Sequence, residues 1–176
     1  MQVKIFSSRQ LILLTQIVRF QSGFFFRHPL LDKYDYYWRI EPDVDFFCDI
    51  DYDVFKFMRN NDKKYGKRLR HQLLYHRYTD CSNLGFTITF IEYMSTIPSL
   101  WETVLGFQQD HPEVIARFPA KEKSLWDFIT EDGGKSYNTC HFWTNFEIAS
   151  LDLWRSNEYL KFFNYLDESG GFYYER

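Results

Sequence analysis

Six carboxylates crowd the run YYWRIEPDVDFFCDIDYD: Glu41, Asp43, Asp45, Asp49, Asp51 and Asp53 sit among aromatic and aliphatic neighbours. An ionised carboxylate beside core-forming residues needs a cation, a hydrogen-bond network or a proton to offset its desolvation. Asp49, Asp51 and Asp53 alternate as at the opening of a calcium loop, but that reading fails. Val54 stands at the sixth position, where glycine makes the turn, and Asn60 at the twelfth, where glutamate closes the site. These three instead suit helix capping and hydration. Glu41 is different, because it follows YYWRI directly, at the strand-to-loop edge where α/β proteins place ligand-binding groups. A hard oxygen ligand there suits Mg²⁺ or Mn²⁺, held by one or two carboxylates together with substrate phosphates.

Glu147, in WTNFEI, is the other acid in an aromatic setting. It reads either as a buried, hydrogen-bonded structural glutamate or as a nucleophile or base beside a sugar carbon. Spacing leaves both open. The three cysteines, Cys48, Cys81 and Cys140, have no CxxC spacing, which excludes a zinc knuckle or a thioredoxin-like pair.

The elements that must position these residues follow from pattern. YYWRI (36–40) is a continuous aromatic and β-branched run, suited to a buried strand that Pro42 ends. Asp53 caps a short helix over DVFKFMRNN. GFTITFIEY alternates as a strand, and Ser99 with Glu102 forms a capping box for a helix to about Gln109. SLWDFIT is a helical piece and EDGG a turn. The segment from Tyr137 to Ser150 mixes polar and aromatic residues without clean periodicity, as a site lining does. Ser156 caps a helix to about Glu168, with Leu160, Phe163 and Leu166 on one face and Gly170 as its stop. Strands alternating with helices point to an α/β fold.

At 176 residues the chain suits one domain with a core. Thirteen Tyr, 19 Phe and 5 Trp make aromatics the outlier of the composition; most suit core filling, and an aromatic excess also suits a sugar-handling cleft. A net charge of −3 excludes whole-chain nucleic-acid binding. Residues 67–85 stand apart, carrying Lys67, Arg68, Arg70 and Arg77 against Asp80 alone. The apolar run LILLTQIV is too short to span a bilayer, and no signal-peptide pattern follows it. The chain therefore reads as carrying no transmembrane segment.

Four runs together resemble glycosyltransferase family 15, the fungal α-1,2-mannosyltransferases: SGFFFRHPLLDKYDYYWRIEPDVDFFCDIDYDVFKFM, GFTITFIEYMSTIPSLWE, YNTCHFWTNFEIASLDLWRS and YLDESGGFYYER. The resemblance covers about Arg19 to Gly66 and Phe86 to Arg176. It implies an α/β GT-A-type nucleotide-sugar transferase fold, incomplete at both ends. It also implies GDP-mannose as donor, Mn²⁺ as cofactor and retention of anomeric configuration. The products would be α-1,2-linked mannoses on protein-linked glycans of the fungal cell wall, made on the lumenal side of the Golgi membrane. In such enzymes a Glu-Pro-x motif replaces Asp-x-Asp, which makes Glu41 the metal ligand with Asp43 in support. The family's NFEI glutamate, the proposed nucleophile, matches Glu147.

Three departures shape the expectation. Residues 1–18 form a non-family segment, with Leu14 about where the family has an acceptor-site tyrosine, and 19–176 form a partial catalytic domain. Residues 67–85 interrupt that domain as an insertion, read as a retained intron, where the family runs on as KKYGFTITFIEY. The chain ends before the family's metal-binding histidine, which His141 does not replace. The resemblance thus implies little or no transfer by this chain alone. The alternatives are a non-catalytic remnant that at most binds glycan, and a glycoside hydrolase using two carboxylates.

Overall fold

In the computed structural model the described residues are 8–42, 49–64, 89–117, 126–142, 144 and 146–175, with the side chains of 8–14 and 146 excepted. Helices and short strands alternate along the chain. Helix α1 (Ser8–Gly23) is followed by two 3-10 turns, Phe25–Arg27 and Pro29–Leu31, and by strand β1 (Tyr36–Ile40). Then come α2 (Val54–Asn60), β2 (Thr89–Ile91), α3 (Leu100–Asp110), α4 (Pro112–Ile115) and α5 (Trp126–Ile129). Strands β3 (Cys140–Phe142) and β4 (Phe146–Ser150) lead into α6 (Leu151–Arg155), α7 (Asn157–Glu168) and α8 (Gly171–Tyr174).

Local signals place several of these ends. The Asp53 carboxylate accepts from the Lys56 amide at 2.9 Å and starts α2. Ser156 accepts from the Tyr159 amide at 3.2 Å and starts α7. Gly170 takes φ 87°, a left-handed conformation that a side chain would strain, and so separates α7 from α8. Gly133 and Gly134 carry the EDGG turn at positive φ, where Asp132 accepts from Thr130 and Ser136.

The capping box does not form. Helix α3 exists, but the Ser99 side chain caps nothing, because its hydroxyl and its amide both donate to Glu175 Oε1. A charged acceptor from the far end of the chain outcompetes the neutral local one. Two further readings change as well. Strand β1 is half-buried, with Ile40 43% exposed, because among the described residues only β4 pairs with it. The segment from Tyr137 to Ser150 resolves into β3 and β4, whose pairing with distant strands replaces the periodicity it lacks.

Two antiparallel pairs result, β1 with β4 and β2 with β3. Backbone bonds extend the first pair beyond its strand ends, from Leu151 N to Asp35 O at 2.8 Å and from Ser150 N to Lys64 O at 2.7 Å. Aromatic rings fill the space behind it. Phe26, 1% exposed, meets Phe25, Trp154 and Tyr159. Burying a ring of this kind stabilises by about 1.5–3 kcal/mol. Arg155 locks the preceding turns by donating to Phe26 O and Leu31 O. A second cluster joins α3 to α7 through Phe107, Phe162 and Tyr165. The Arg19 fork meets Asp167 at 2.5 and 2.7 Å and fastens α1 to α7.

Candidate active site

The β1–β4 register sets the site. Arg39 lies opposite Glu147 and Tyr37 opposite Ala149, so directly paired side chains share one face of the ribbon. Alternation puts Tyr37 and Arg39 on that face, and the Arg39–Glu41 contact carries Glu41 onto it at the strand end. The two acids singled out by sequence, 106 positions apart (147 less 41), therefore belong to one surface.

Glu147 is 5% exposed. The Tyr37 hydroxyl donates to its Oε1 at 2.5 Å, the short length expected for a neutral donor meeting a carboxylate. The Tyr37 ring is set in turn by Phe25 at 4.7 Å and Trp154 at 6.3 Å. Tyr159 stands nearby, with its hydroxyl donating to Ser22 O at 2.7 Å. Burial pushes the Tyr159 hydroxyl well above the usual phenol range; the Glu147 charge adds to this and Arg27 opposes it. Tyr159 therefore keeps the proton that it donates to Ser22 O.

Glu41 is half-buried. Arg39 Nε donates to its Oε1 at 2.8 Å, and the second guanidinium donor converges on the same oxygen. Among the described residues no hydrogen bond reaches Oε2. One hard oxygen is thus directed by an ion pair, and a carboxylate held this way could take a divalent cation completed by substrate phosphates. No group of three or more His, Cys, Asp or Glu that could hold a metal by itself occurs among the described residues. Asp43, Asp45 and residues 67–85 lie outside the described residues. Asp49 and Asp51 are exposed and lie outside the helices and strands, and Asp53 is the α2 cap. His141 lies on β3, its Nδ1 3.4 Å from Thr139 O. Neither of two surface hollows is lined by Glu41 or Glu147. One, of 260 Å³, is lined by Phe26, Arg27, Arg155, Leu160 and Asn164; the other, of 200 Å³, lies between α1, α3, α7 and α8.

Comparison with known proteins gives this arrangement its context. The family model described as glycolipid 2-alpha-mannosyltransferase matches residues 4–75 and 73–176. The chain belongs to this family. Among its relatives, the alpha-1,2 mannosyltransferase KTR1 of Saccharomyces cerevisiae is 53% identical over 158 residues, which is 90% of this chain and 34% of the relative. The O-glycoside alpha-1,2-mannosyltransferase omh1 of Schizosaccharomyces pombe is 49% identical over the same shares. The chain thus spans about a third of the length of the curated relatives it matches. Core-mannan synthase A (CmsA/Ktr4) from Aspergillus fumigatus, solved in an Mn/GDP form, superposes with a TM-score of 0.77 at 34% identity. That match covers 99% of this chain and 42% of the other. Ktr4p from S. cerevisiae in complex with GDP gives 0.67 at 40% identity, over 92% and 37%. The architecture of this mannosyltransferase-family chain is therefore an α/β part of a GT-A-type fold.

Sequence reasoning selected Glu41 and Glu147 but missed Tyr37 and Tyr159. Strand alternation alone would have put Tyr37 on the face of Arg39. Its contact with Glu147 needed the partner strand.

Proposed function

We propose that this chain supplies part of the catalytic domain of an α-1,2-mannosyltransferase. It would move mannose from GDP-mannose to the mannose of a protein-linked glycan with retention of configuration. The observation that carries the reading is the single ribbon face on which Arg39, Glu41 and the Tyr37-held Glu147 are grouped. The Mn/GDP and GDP forms of the related structures support the donor and the metal.

Glu41 would hold Mn²⁺, with Asp43 in support, and Arg39 keeps the Glu41 carboxylate oriented. The metal, when bound, supplies Lewis-acid neutralisation of charge on the departing diphosphate. Glu147 attacks the anomeric carbon from the face opposite GDP. The C1–O bond to the diphosphate breaks, its electron pair leaves with GDP, and a mannosyl ester forms on Glu147. The acceptor hydroxyl then loses its proton to a base and displaces Glu147, and the two inversions give net retention. The family's setting, a membrane-anchored protein facing the Golgi lumen, belongs to the same proposal. Among the described residues no helix is long and apolar enough to cross a membrane.

The test places this chain in the matching segment of the Saccharomyces relative and follows labelled mannose from GDP-mannose to methyl α-mannoside. Glu147→Gln keeps shape and removes charge, so transfer is lost while GDP-mannose binding stays within about twofold. Glu41→Gln raises the Mn²⁺ concentration needed for half-maximal transfer. Wild-type turnover in Glu147→Gln would remove Glu147 from the chemistry, and unchanged Mn²⁺ dependence would remove Glu41 from the metal.

A further inference from the structure

We infer that Tyr37 is a residue that positions Glu147 for transfer, acting through its hydroxyl and independently of donor binding. The inference rests on the proposed role of Glu147.

A carboxylate at the start of a short strand can rotate about three side-chain bonds, and a nucleophile needs one oxygen aimed at the reacting carbon. The Tyr37 hydroxyl donates to Oε1 at 2.5 Å across the diagonal of the β1–β4 pair. That bond restrains the rotamer of the carboxylate by holding one of its two oxygens. The donor is itself fixed. Its backbone is paired with Ala149, which is fully buried, and its ring is wedged between Phe25 and Trp154. Phe25 belongs to a turn locked by Arg155, and Trp154 precedes that arginine on α6. Packing of the neighbouring elements is thus transmitted to a single phenolic oxygen.

Two other groups near Glu147 have their own described partners. Tyr159 spends its hydroxyl proton on Ser22 O, and Arg39, opposite Glu147 in the register, directs its Nε and one terminal donor to Glu41. A positioning group differs from a packing group in what its loss does. Losing the hydroxyl while keeping the ring lets the carboxylate turn without opening a cavity. Misplacement of a reacting group by about 1 Å costs up to roughly a hundredfold in rate. Donor affinity, set at Glu41 and the diphosphate, stays as it was.

The experiment uses the enzyme carrying this chain, as above, with Tyr37→Phe, 3-fluorotyrosine at position 37, and Glu147→Gln. Tyr37→Phe is expected to lower kcat by roughly tenfold to a hundredfold with KM for GDP-mannose unchanged. The fluorinated residue keeps the donor and restores most of kcat, which a purely steric role would not require. If Tyr37→Phe fails to fold, the fluorotyrosine enzyme still decides: the more acidic phenol must move the alkaline fall of kcat to lower pH without shifting KM, and an unmoved profile overturns the inference. A Tyr37→Phe enzyme with wild-type kcat, or one whose loss lies in KM, overturns the inference even where Glu147→Gln is inactive. A Glu147→Gln enzyme with full turnover overturns the underlying reading and this inference with it, and the two failures are told apart by that variant alone.

Discussion

Gly23→Ala isolates one of the contacts that dock α1 on α7. A Cβ at Gly23 would lie 1.9 Å from Phe163 Cζ and 2.2 Å from Cε1, so the ring tip already occupies the place of a side chain. Carbon atoms rest at about 3.5–4.0 Å, so the ring would have to withdraw by about 1.5–2 Å. It has nowhere to go. Phe163 is 2% exposed and hemmed by Phe24 and Phe172, each at 5.6 Å between centroids. Forced overpacking costs about 1–3 kcal/mol, while the helix preference of Ala over Gly returns at most about 1 kcal/mol, and less at the last residue of α1. The clash wins, by about 2 kcal/mol. At this size that lowers Tm by about 4–8 °C. The neighbouring Ser22 carbonyl accepts from Tyr159, so the strain also reaches the side of Glu147. The assay is urea unfolding followed by tryptophan fluorescence, with the slope held constant so that the midpoint reports stability. Phe163→Leu retracts the ring and relieves the clash, so the double variant is less destabilised than the sum of the singles by about 1 kcal/mol. A Gly23→Ala midpoint at or above that of the parent, or strict additivity, would refute the packing argument.

Three further outcomes follow from the same structure. Arg19→Lys keeps the charge but loses the two-point fork to Asp167 and the stacking over Phe24, so it costs about 1–2 kcal/mol in the same urea assay; an unchanged midpoint would make the pair solvent-screened. Asp132, held below the usual carboxylate range by the Ser136 hydroxyl and amide and by Thr130, is stabilising above its unfolded value of 3.8, and the effect is lost as pH falls. Glu113 beside Lys161, and Glu158 held first by a backbone amide and then by Arg117, act in the same direction, so stability declines from about pH 5 toward pH 2, and Asp132→Asn must flatten that decline. Deleting residues 67–85 to join Gly66 to Phe86 should leave Tm within about 3 °C, because the entropy cost of closing a loop grows only slowly with its length; a large loss on deletion, with transcripts retaining the codons, would make the segment native structure.

The sequence by itself determined those features whose cause lies within a few residues. Asp53 and Ser156 each cap their own helix because a short side chain reaches an amide three positions on. Gly170 ends α7 because only its missing Cβ makes the left-handed turn inexpensive. Glu41 falls at the end of β1 because Pro42 cannot continue a ladder. The family was legible too, since runs of residues carry it without coordinates. What only the tertiary structure decided involves partners far apart in the chain. Ser99 has every local feature of a cap, yet its hydroxyl is bonded 76 residues away, to Glu175. The pairing of β1 with β4 sets Tyr37 against Glu147 across 110 residues. Strand alternation says which residues share a face of one strand, but a shift of one residue in the partner would turn Glu147 to the opposite face. The register joins segments far apart in the chain, and Phe25 and Trp154 pack on Tyr37 from outside the ribbon, so this arrangement exists only once the chain has folded.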